Sequence, residues 1–362
     1  QTCGTLFHMK TIASIVGARP QFIKAAPVSR ALASHFNEVM IHTGQHYDYE
    51  MSDLFFKEMD MRQPDFNLGI GGGTHGAQTG MMLIELEKVM SSVKPDCILV
   101  YGDTNSTLAG ALTAAKAGIK LAHVEAGLRS YNRAMPEEVN RVLTDHVSSW
   151  LFCPTEVAVQ NLEKEGITKG VHQIGDVMYD ALLRNLELSR SKSQILKRLD
   201  LKKGEYALAT VHRAGNTDNP KNMRSVLDAL GSLPIRVIFP VHPRTRSRIN
   251  EWGFTVNSNV SLIEPLGPLD ILQLQENADC ILTDSGGMQK EAYLLGVRCI
   301  TLREETEWVE TVSAGWNSLA GVDAKRIKSL YETWKPEGER PLLYGDGHAA
   351  EKILQILQSE LN

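Results

Sequence analysis

The stretch 283–287, Thr-Asp-Ser-Gly-Gly, ends a short apolar run and opens a helical pattern, which is typical of a strand, a tight turn and a helix start. The first N–H groups of a helix have no partner within the helix, and the positive end of the helix dipole lies behind them. Such a start binds phosphate readily, and glycines let the anion approach the backbone. We therefore predict a phosphate site at Ser285, Gly286 and Gly287, with Glu291 accepting hydrogen bonds from sugar hydroxyls. The competing interpretation is that Ser285 only caps the helix.

Carboxylates follow two apolar runs in the first half of the chain. Asp103 comes just after the run 97–101, Glu125 follows the run 120–124, and Glu137 stands in the first turn of a later helical pattern. Carboxylates crowded around one point acquire separated pKa values and can divide the roles of acid and base. The alternative is structural: Asp103 caps the next helix, and Glu137 only complements a helix dipole.

Cationic side chains stand near a predicted helix start, where the dipole does not favour them. Arg19 and Lys24 follow the first apolar run, and an anionic ligand explains them as well as a solvated basic turn does. His212 and His242 each follow an apolar run of the second half, with arginines beside them. No third ligand stands at metal spacing, so the neighbouring arginines favour phosphate over a metal ion.

The elements that position these side chains alternate along the whole chain. Short runs that are apolar on both faces, separated by helical patterns, are typical of parallel sheets in doubly wound α/β domains. Ligands of such domains bind at the carboxyl ends of the strands, so we expect the site in a cleft between two domains. The first sheet is predicted from the runs 11–16, 39–43, 97–101, 120–124 and 150–153, and the second from 206–211, 236–240, 260–263, 280–282 and 298–302.

The polar helical segment 177–203 is predicted to cross between the domains. We place the first domain at 9–180, completed by a C-terminal helix at 346–362, and the second at 181–345. Residues 1–8 precede a natural-looking start and are interpreted as an expression scar.

The composition is that of an ordinary soluble protein, with 43% hydrophobic and 22% charged residues and a net charge of −5. This balance does not favour nucleic acid, and no run is long enough for a membrane span. Four of the five cysteines lie in apolar strand-like runs, which predicts buried reduced thiols and a cytoplasmic location. The glycine-rich stretch 71–76 fits a dinucleotide-binding pattern by letter, but we expect no strand before it. We therefore predict a flexible loop and no nicotinamide or flavin cofactor.

The motifs occur in an order that resembles the non-hydrolysing UDP-N-acetylglucosamine 2-epimerase family. They are GARPQFIK at 17–24, GDT at 102–104, HVEAGLR at 123–129, PEEVNR at 136–141, PVH at 240–242 and TDSGGMQKEA at 283–292. The resemblance extends from position 9 to the last helix. It implies the GT-B architecture, two Rossmann-like domains with a nucleotide-sugar cleft between them, and a homodimer.

The resemblance also implies inversion at C2 of a UDP-sugar without a cofactor or metal ion. UDP is eliminated to give a 2-acetamidoglucal and then adds back with the opposite configuration. The residues similar to those that hold the UDP-sugar are Arg19, Lys24, Arg141, His212, His242, Ser285, Gly286, Gly287 and Glu291. The residues similar to the catalytic carboxylates are Asp103, Glu125 and Glu137, and His212 is a further catalytic candidate.

The chemistry limits the order of steps. C2–H is not acidic, so cleavage of the C1–O bond with oxocarbenium character is expected to lead, and cations stabilise the departing diphosphate. A carboxylate then takes the C2 proton. The sequence does not show which carboxylate acts on which face of the sugar.

The chain departs from the common family pattern at several places. It reads HRAGN at 212–216 instead of HRREN, TEWVE at 306–310 instead of TERPE, and Ala77 where some members carry an arginine of a regulatory site. The loop between Glu125 and Glu137 is also shorter. These features resemble the branch acting on UDP-2,3-diacetamido-2,3-dideoxyglucuronate, which stays an alternative to UDP-N-acetylglucosamine. A GT-B glycosyltransferase, a hydrolysing epimerase and a non-catalytic UDP-sugar sensor are the remaining alternatives.

Overall fold

The computed structural model describes residues 9–45, 56 and 61–361, and these form two compact units. The first unit extends to Leu183 and takes up the chain again at Leu343, and the second extends from Arg184 to Leu342. The prediction for residues 1–8 lies outside the described residues.

The first unit is built on a parallel sheet that has seven strands within the described residues. They are β1 Thr11–Val16, β2 Asn37–His42, β3 Phe66–Asn67, β4 Cys97–Tyr101, β5 Lys120–Val124, β6 Trp150–Cys153 and β7 Val171–Gln173. The spatial order is β3-β2-β1-β4-β5-β6-β7. The strand order reverses between β1 and β4, and ligands of such sheets bind at the carboxyl ends of the strands near this switch point.

The second unit repeats this plan with six parallel strands in the part of the chain that is described. They are β8 Tyr206–Thr210, β9 Arg236–Pro240, β10 Val260–Ile263, β11 Cys280–Thr283, β12 Arg298–Thr301 and β13 Asn317–Leu319. The order β10-β9-β8-β11-β12-β13 places its switch point between β8 and β11. The predicted doubly wound α/β class is therefore confirmed, with two Rossmann-like sheets of the GT-B type.

Helices follow most of the strands, and several begin at a proline, whose fixed φ suits the first helical position. The first unit contains helices Arg19–Leu32, His75–Val93, Asn105–Ala117, Pro136–Val147, Glu156–Lys164 and Ala349–Leu361, and helix Val177–Lys192 leads into the second unit. The second unit contains helices Ile195–Arg198, Ala214–Thr217, Pro220–Gly231, Pro243–Glu251, Pro268–Asn277, Gly286–Leu295, Val309–Ser313 and Ala324–Thr333.

The last helix packs on the sheet of the first unit. Ile353 and Leu357 are fully buried in the same apolar cluster as Phe22. The Asp180 carboxylate accepts hydrogen bonds from the N–H groups of Ala349 (3.2 Å) and Ala350 (2.8 Å). Asp180 thus satisfies two of the unpaired donors at the start of this helix.

The strands β3, β7 and β13 were not predicted, because they are two or three residues long and lack a buried apolar run. The prediction that no strand precedes the glycine stretch 71–76 is wrong, since β3 lies before it and a helix begins at His75. Buried free thiols are confirmed at Cys97, Cys153, Cys280 and Cys299. Of the helices that the structure describes, none combines the length and the apolar character needed to cross a membrane.

Candidate active site

The loops after β1 and β4 are joined by Gln21, a buried residue that the sequence analysis did not select. Its side-chain oxygen accepts hydrogen bonds from the N–H groups of Gly17 (2.7 Å) and Ala18 (3.1 Å). Its amide nitrogen donates to the carbonyl of Tyr101 (2.6 Å) and to the hydroxyl of Thr107 (3.0 Å). One side chain therefore fixes both loops at the switch point.

Lys24 and Glu125 form an ion pair at the carboxyl ends of the strands. Both side chains are largely buried, and they lie over Gly102, whose φ is 63°. Burial alone would lower the pKa of Lys24, but the carboxylates of Glu125, Asp176 and Asp103 together outweigh burial and raise it.

Asp103 is held by the helix that follows β5. Its carboxylate accepts a hydrogen bond from Arg141 at 2.5 Å, and its carbonyl accepts one from the Asn140 amide at 2.9 Å. The structural alternative for Asp103 is wrong, because Thr104 caps the next helix through the Thr107 N–H. The Asp103 side chain stays 32% exposed and thus accessible to a ligand.

Glu137 and Arg19 are placed differently from these residues. The Glu137 side chain is exposed, and no hydrogen bond or ion pair of the described residues includes this side chain. The neighbouring Glu138 is buried instead, accepts hydrogen bonds from the Ser130 and Tyr131 N–H groups, and pairs with Arg141. Arg19 is exposed at the first position of its helix. The structure therefore brings Asp103, Glu125, Lys24 and Arg141 together, and no hydrogen bond or ion pair of the described residues joins the Glu137 side chain to them.

In the second unit, Ser285 caps helix Gly286–Leu295, as its competing interpretation proposed. Its hydroxyl accepts a hydrogen bond from the Met288 N–H at 3.4 Å. A Cβ at Gly286 would overlap the Glu307 carboxylate, so a larger residue there would require the Glu307 side chain to move.

Asp284 is the buried centre of this half of the site, and the sequence analysis gave it no role. Its carboxylate accepts hydrogen bonds from the N–H groups of His212 (3.1 Å) and Arg213 (3.1 Å) and from the Asn216 amide (3.0 Å). It also lies 3.1 Å from Nδ1 of His212. This contact raises the pKa of His212 against the opposing effect of burial, so the imidazole is more readily a cation. The sequence signal that could have identified Asp284 is its position in the same predicted turn as Ser285.

Glu291 and His242 both have protein partners. Glu291 accepts a hydrogen bond from the Gln275 amide at 2.9 Å, and burial raises the pKa of its carboxyl group. His242 is exposed and caps helix Pro243–Glu251 by accepting from the Arg244 N–H at 3.2 Å. Neither arrangement prevents binding, because Glu291 has a second oxygen and the His242 ring has a second nitrogen.

The two halves offer different chemistry. The first unit presents two carboxylates beside two cations, which suits proton transfer at a carbon next to a departing anion. The second unit presents a helix start, a hydroxyl and a protonatable histidine, which suits a phosphate group.

Comparisons with known proteins show what this chain is similar to. A family model described as UDP-N-acetylglucosamine 2-epimerase matches residues 30–358. A "UDP-N-acetylglucosamine 2-epimerase homolog" of Methanococcus maripaludis is 51% identical, covering 96% of this chain and 99% of its own. The UDP-2,3-diacetamido-2,3-dideoxy-D-glucuronate 2-epimerase of Pseudomonas aeruginosa is 45% identical, with 96% and 99% covered. The Methanocaldococcus jannaschii UDP-GlcNAc 2-epimerase, solved with UDP-GlcNAc and UDP, is 43% identical with a TM-score of 0.75, covering 96% of this chain and 99% of its own.

Proposed function

This chain belongs to the UDP-N-acetylglucosamine 2-epimerase family, and we propose that it inverts C2 of UDP-N-acetylglucosamine to give UDP-N-acetylmannosamine. The observation that carries the proposal is the pairing of two carboxylates with two cations, Asp103 with Arg141 and Glu125 with Lys24. A carboxylate next to the sugar can accept the C2 proton, and the adjacent cations can stabilise the negative charge of the departing diphosphate.

The reaction begins with cleavage of the C1–O bond, and the electron pair leaves with UDP. A carboxylate takes the C2 proton, which gives the 2-acetamidoglucal. Protonation of C2 on the opposite face and renewed C1–O bond formation with UDP then give the epimer. The atoms balance without a cofactor or metal ion, since UDP and one proton leave and return.

The second unit is proposed to hold the UDP group. Ser285, Gly286 and Gly287 present the helix start to a phosphate, and Glu291 accepts hydrogen bonds from hydroxyls. The raised pKa of His212 favours its cationic form, which can stabilise the leaving diphosphate. Arg19 and His242 are proposed to add contacts to the same UDP-sugar.

A second candidate substrate is UDP-2,3-diacetamido-2,3-dideoxyglucuronate. The Pseudomonas relative with that name is 45% identical over nearly the whole chain. The stretch 212–216 also replaces two large charged residues of the common family pattern by Ala214 and Gly215, and both are exposed. These small residues leave space that a larger sugar substituent could use.

We further propose that the protein is a cytoplasmic homodimer. Its four described cysteines are free thiols, which is typical of a reducing compartment. Apolar side chains that are exposed on neighbouring helices of the first unit support self-association.

The test is an NMR assay of the purified chain in deuterated water with each UDP-sugar and no added cofactor. We expect the manno epimer to form with deuterium at C2. Asp103→Asn should lower the rate roughly a hundredfold or more while UDP affinity stays the same, because UDP is proposed to bind the second unit. Asp228→Asn on an exposed helix surface is the matched control and should retain full activity. Absence of deuterium incorporation with both sugars would contradict the proposal.

A further inference from the structure

His123 is a fully buried residue near the end of β5, and its two ring nitrogens have different partners. Nδ1 lies 2.7 Å from a carboxylate oxygen of Asp145, and Nε2 lies 2.7 Å from the carbonyl oxygen of Gly102. A carbonyl oxygen only accepts hydrogen bonds, so Nε2 must carry a proton.

Asp145, the partner of Nδ1, is itself held by further hydrogen-bond donors. Its second carboxylate oxygen accepts hydrogen bonds from the Gly127 N–H (3.1 Å) and from the Arg129 guanidinium (2.7 Å). Burial opposes ionisation of Asp145, but His123 and Arg129 outweigh burial and lower its pKa. The two ring nitrogens of His123 therefore connect the loop after β4 with helix Pro136–Val147.

His123 lies between the two loops that carry Asp103 and Glu125. The Gly102 carbonyl belongs to the peptide that leads into Asp103. On the other side, Asp145 holds the N–H of Gly127 in the turn that begins at Glu125. Glu125 has φ 73°, a left-handed conformation that is rare for a residue with a side chain and that needs its surroundings to hold it.

We propose that His123 is a positioning residue for the epimerisation. Its Nε2–H holds the peptide before Asp103, and through Asp145 it supports the turn of Glu125. Both carboxylates are thereby fixed relative to each other, which matters because a displacement of about 1 Å can cost a hundredfold in rate. This inference rests on the proposed function.

Two amide variants separate the two hydrogen bonds of His123. The side-chain nitrogen of His123→Gln lies near the Nε2 position and can still donate to Gly102. That of His123→Asn lies near the Nδ1 position and can donate only to Asp145. We expect His123→Gln to keep kcat within about fivefold of the wild type and His123→Asn to lose about a hundredfold, with UDP affinity unchanged in both.

Melting temperature and UDP affinity are measured on both variants as controls for folding. If His123 has a purely structural role, kcat should fall only as far as each variant loses stability. Equal kcat values in the two variants would overturn the proposal. The wild-type protein supplies a second readout that does not depend on either variant folding. With ¹⁵N-labelled histidine, Nε2 of His123 is expected to carry the proton that is hydrogen-bonded to the Gly102 carbonyl, and an Nε2 without a proton would also overturn the proposal.

The same assay distinguishes this inference from the proposed function. A wild type that exchanges no C2 proton on either UDP-sugar contradicts the proposed function and the positioning role with it. A wild type that exchanges normally, with two amide variants of equal kcat, contradicts only the positioning role.

Discussion

Lys24 and Arg141 each hold a carboxylate in place and can also stabilise charge in the reaction. The raised pKa of Lys24 keeps its ammonium group charged across neutral pH. Because folding raises the pKa of Lys24, the ion pair contributes to stability below the ordinary lysine pKa. This contribution is lost as the pH rises through the raised pKa of Lys24. Because the pair lies against Gly102, the backbone of one residue limits where both charges can be.

We predict that Gly102→Ala lowers both stability and kcat, whereas Gly118→Ala lowers stability alone. Both glycines have positive φ, 63° and 67°, so alanine should cost about 1–2 kcal/mol at either position. Only at Gly102 would the new Cβ meet the Glu125 carboxylate at 3.2 Å and the Lys24 ammonium at 3.4 Å. We expect about a tenfold loss of kcat there from the displaced pair. Urea unfolding and steady-state kinetics check this, and equal activity loss in the two variants would contradict it.

At the scale of elements, one helix start supplies both a structural cap and a binding surface. Helix Gly286–Leu295 begins at Ser285, whose hydroxyl caps it, and β11 leads directly into this turn. The loop after β8 is tied to the same turn, because Asp284 holds the backbone of His212. A phosphate at this start would therefore meet groups from two strand ends.

Removing the capping side chain at two helix starts of the second unit distinguishes helix capping from phosphate binding. Ser285→Ala and Asp323→Ala should each cost about 1 kcal/mol of stability, because each removes the side-chain acceptor at a helix start. Only Ser285→Ala should weaken UDP binding, by about tenfold, through the loss of one hydroxyl donor. Thermal unfolding and calorimetric titration with UDP measure the two effects. Unchanged UDP affinity in Ser285→Ala would show that Ser285 is only a cap.

At the scale of the whole molecule, two of three neighbouring helices of the first unit carry apolar side chains that are exposed among the described residues. Helix Asn105–Ala117 packs between His75–Val93 and Pro136–Val147. The exposed apolar side chains on the two outer helices are Met81, Ile84, Val139 and Leu143. Such a surface is typical of a site of association, and a second copy of this chain is the partner that the homodimer proposal requires.

We predict that Ile84→Glu halves the mass measured by light scattering in solution. The Ile84 side chain is 57% exposed, so the change adds a charge to the proposed interface and leaves the core intact. Val309→Glu, at a residue that is 63% exposed in the second unit, is the matched control and should leave the mass unchanged. A monomeric wild type, or a dimer that tolerates Ile84→Glu, would contradict this interface.

Features set by short-range rules could be read from the sequence alone. The apolar runs predicted the long central strands, Pro136 marked a helix start, and Ser285 was recognised as a possible cap. The ordered motifs indicated the family, which the comparisons confirm. These features depend on residues a few positions apart, so local periodicity and capping patterns are enough to reveal them.

Only the tertiary structure decided which charged groups meet. The rotation of helix Pro136–Val147 buries Glu138 beside Arg141 and leaves Glu137 exposed, although both are glutamates of the same first turn. Asp284 holds His212, which is 72 residues away in the chain, and His123 lies between Gly102 and Asp145. Such pairs form because the strand order brings distant strand ends together, and strand order is a property of the folded sheet that no local pattern encodes.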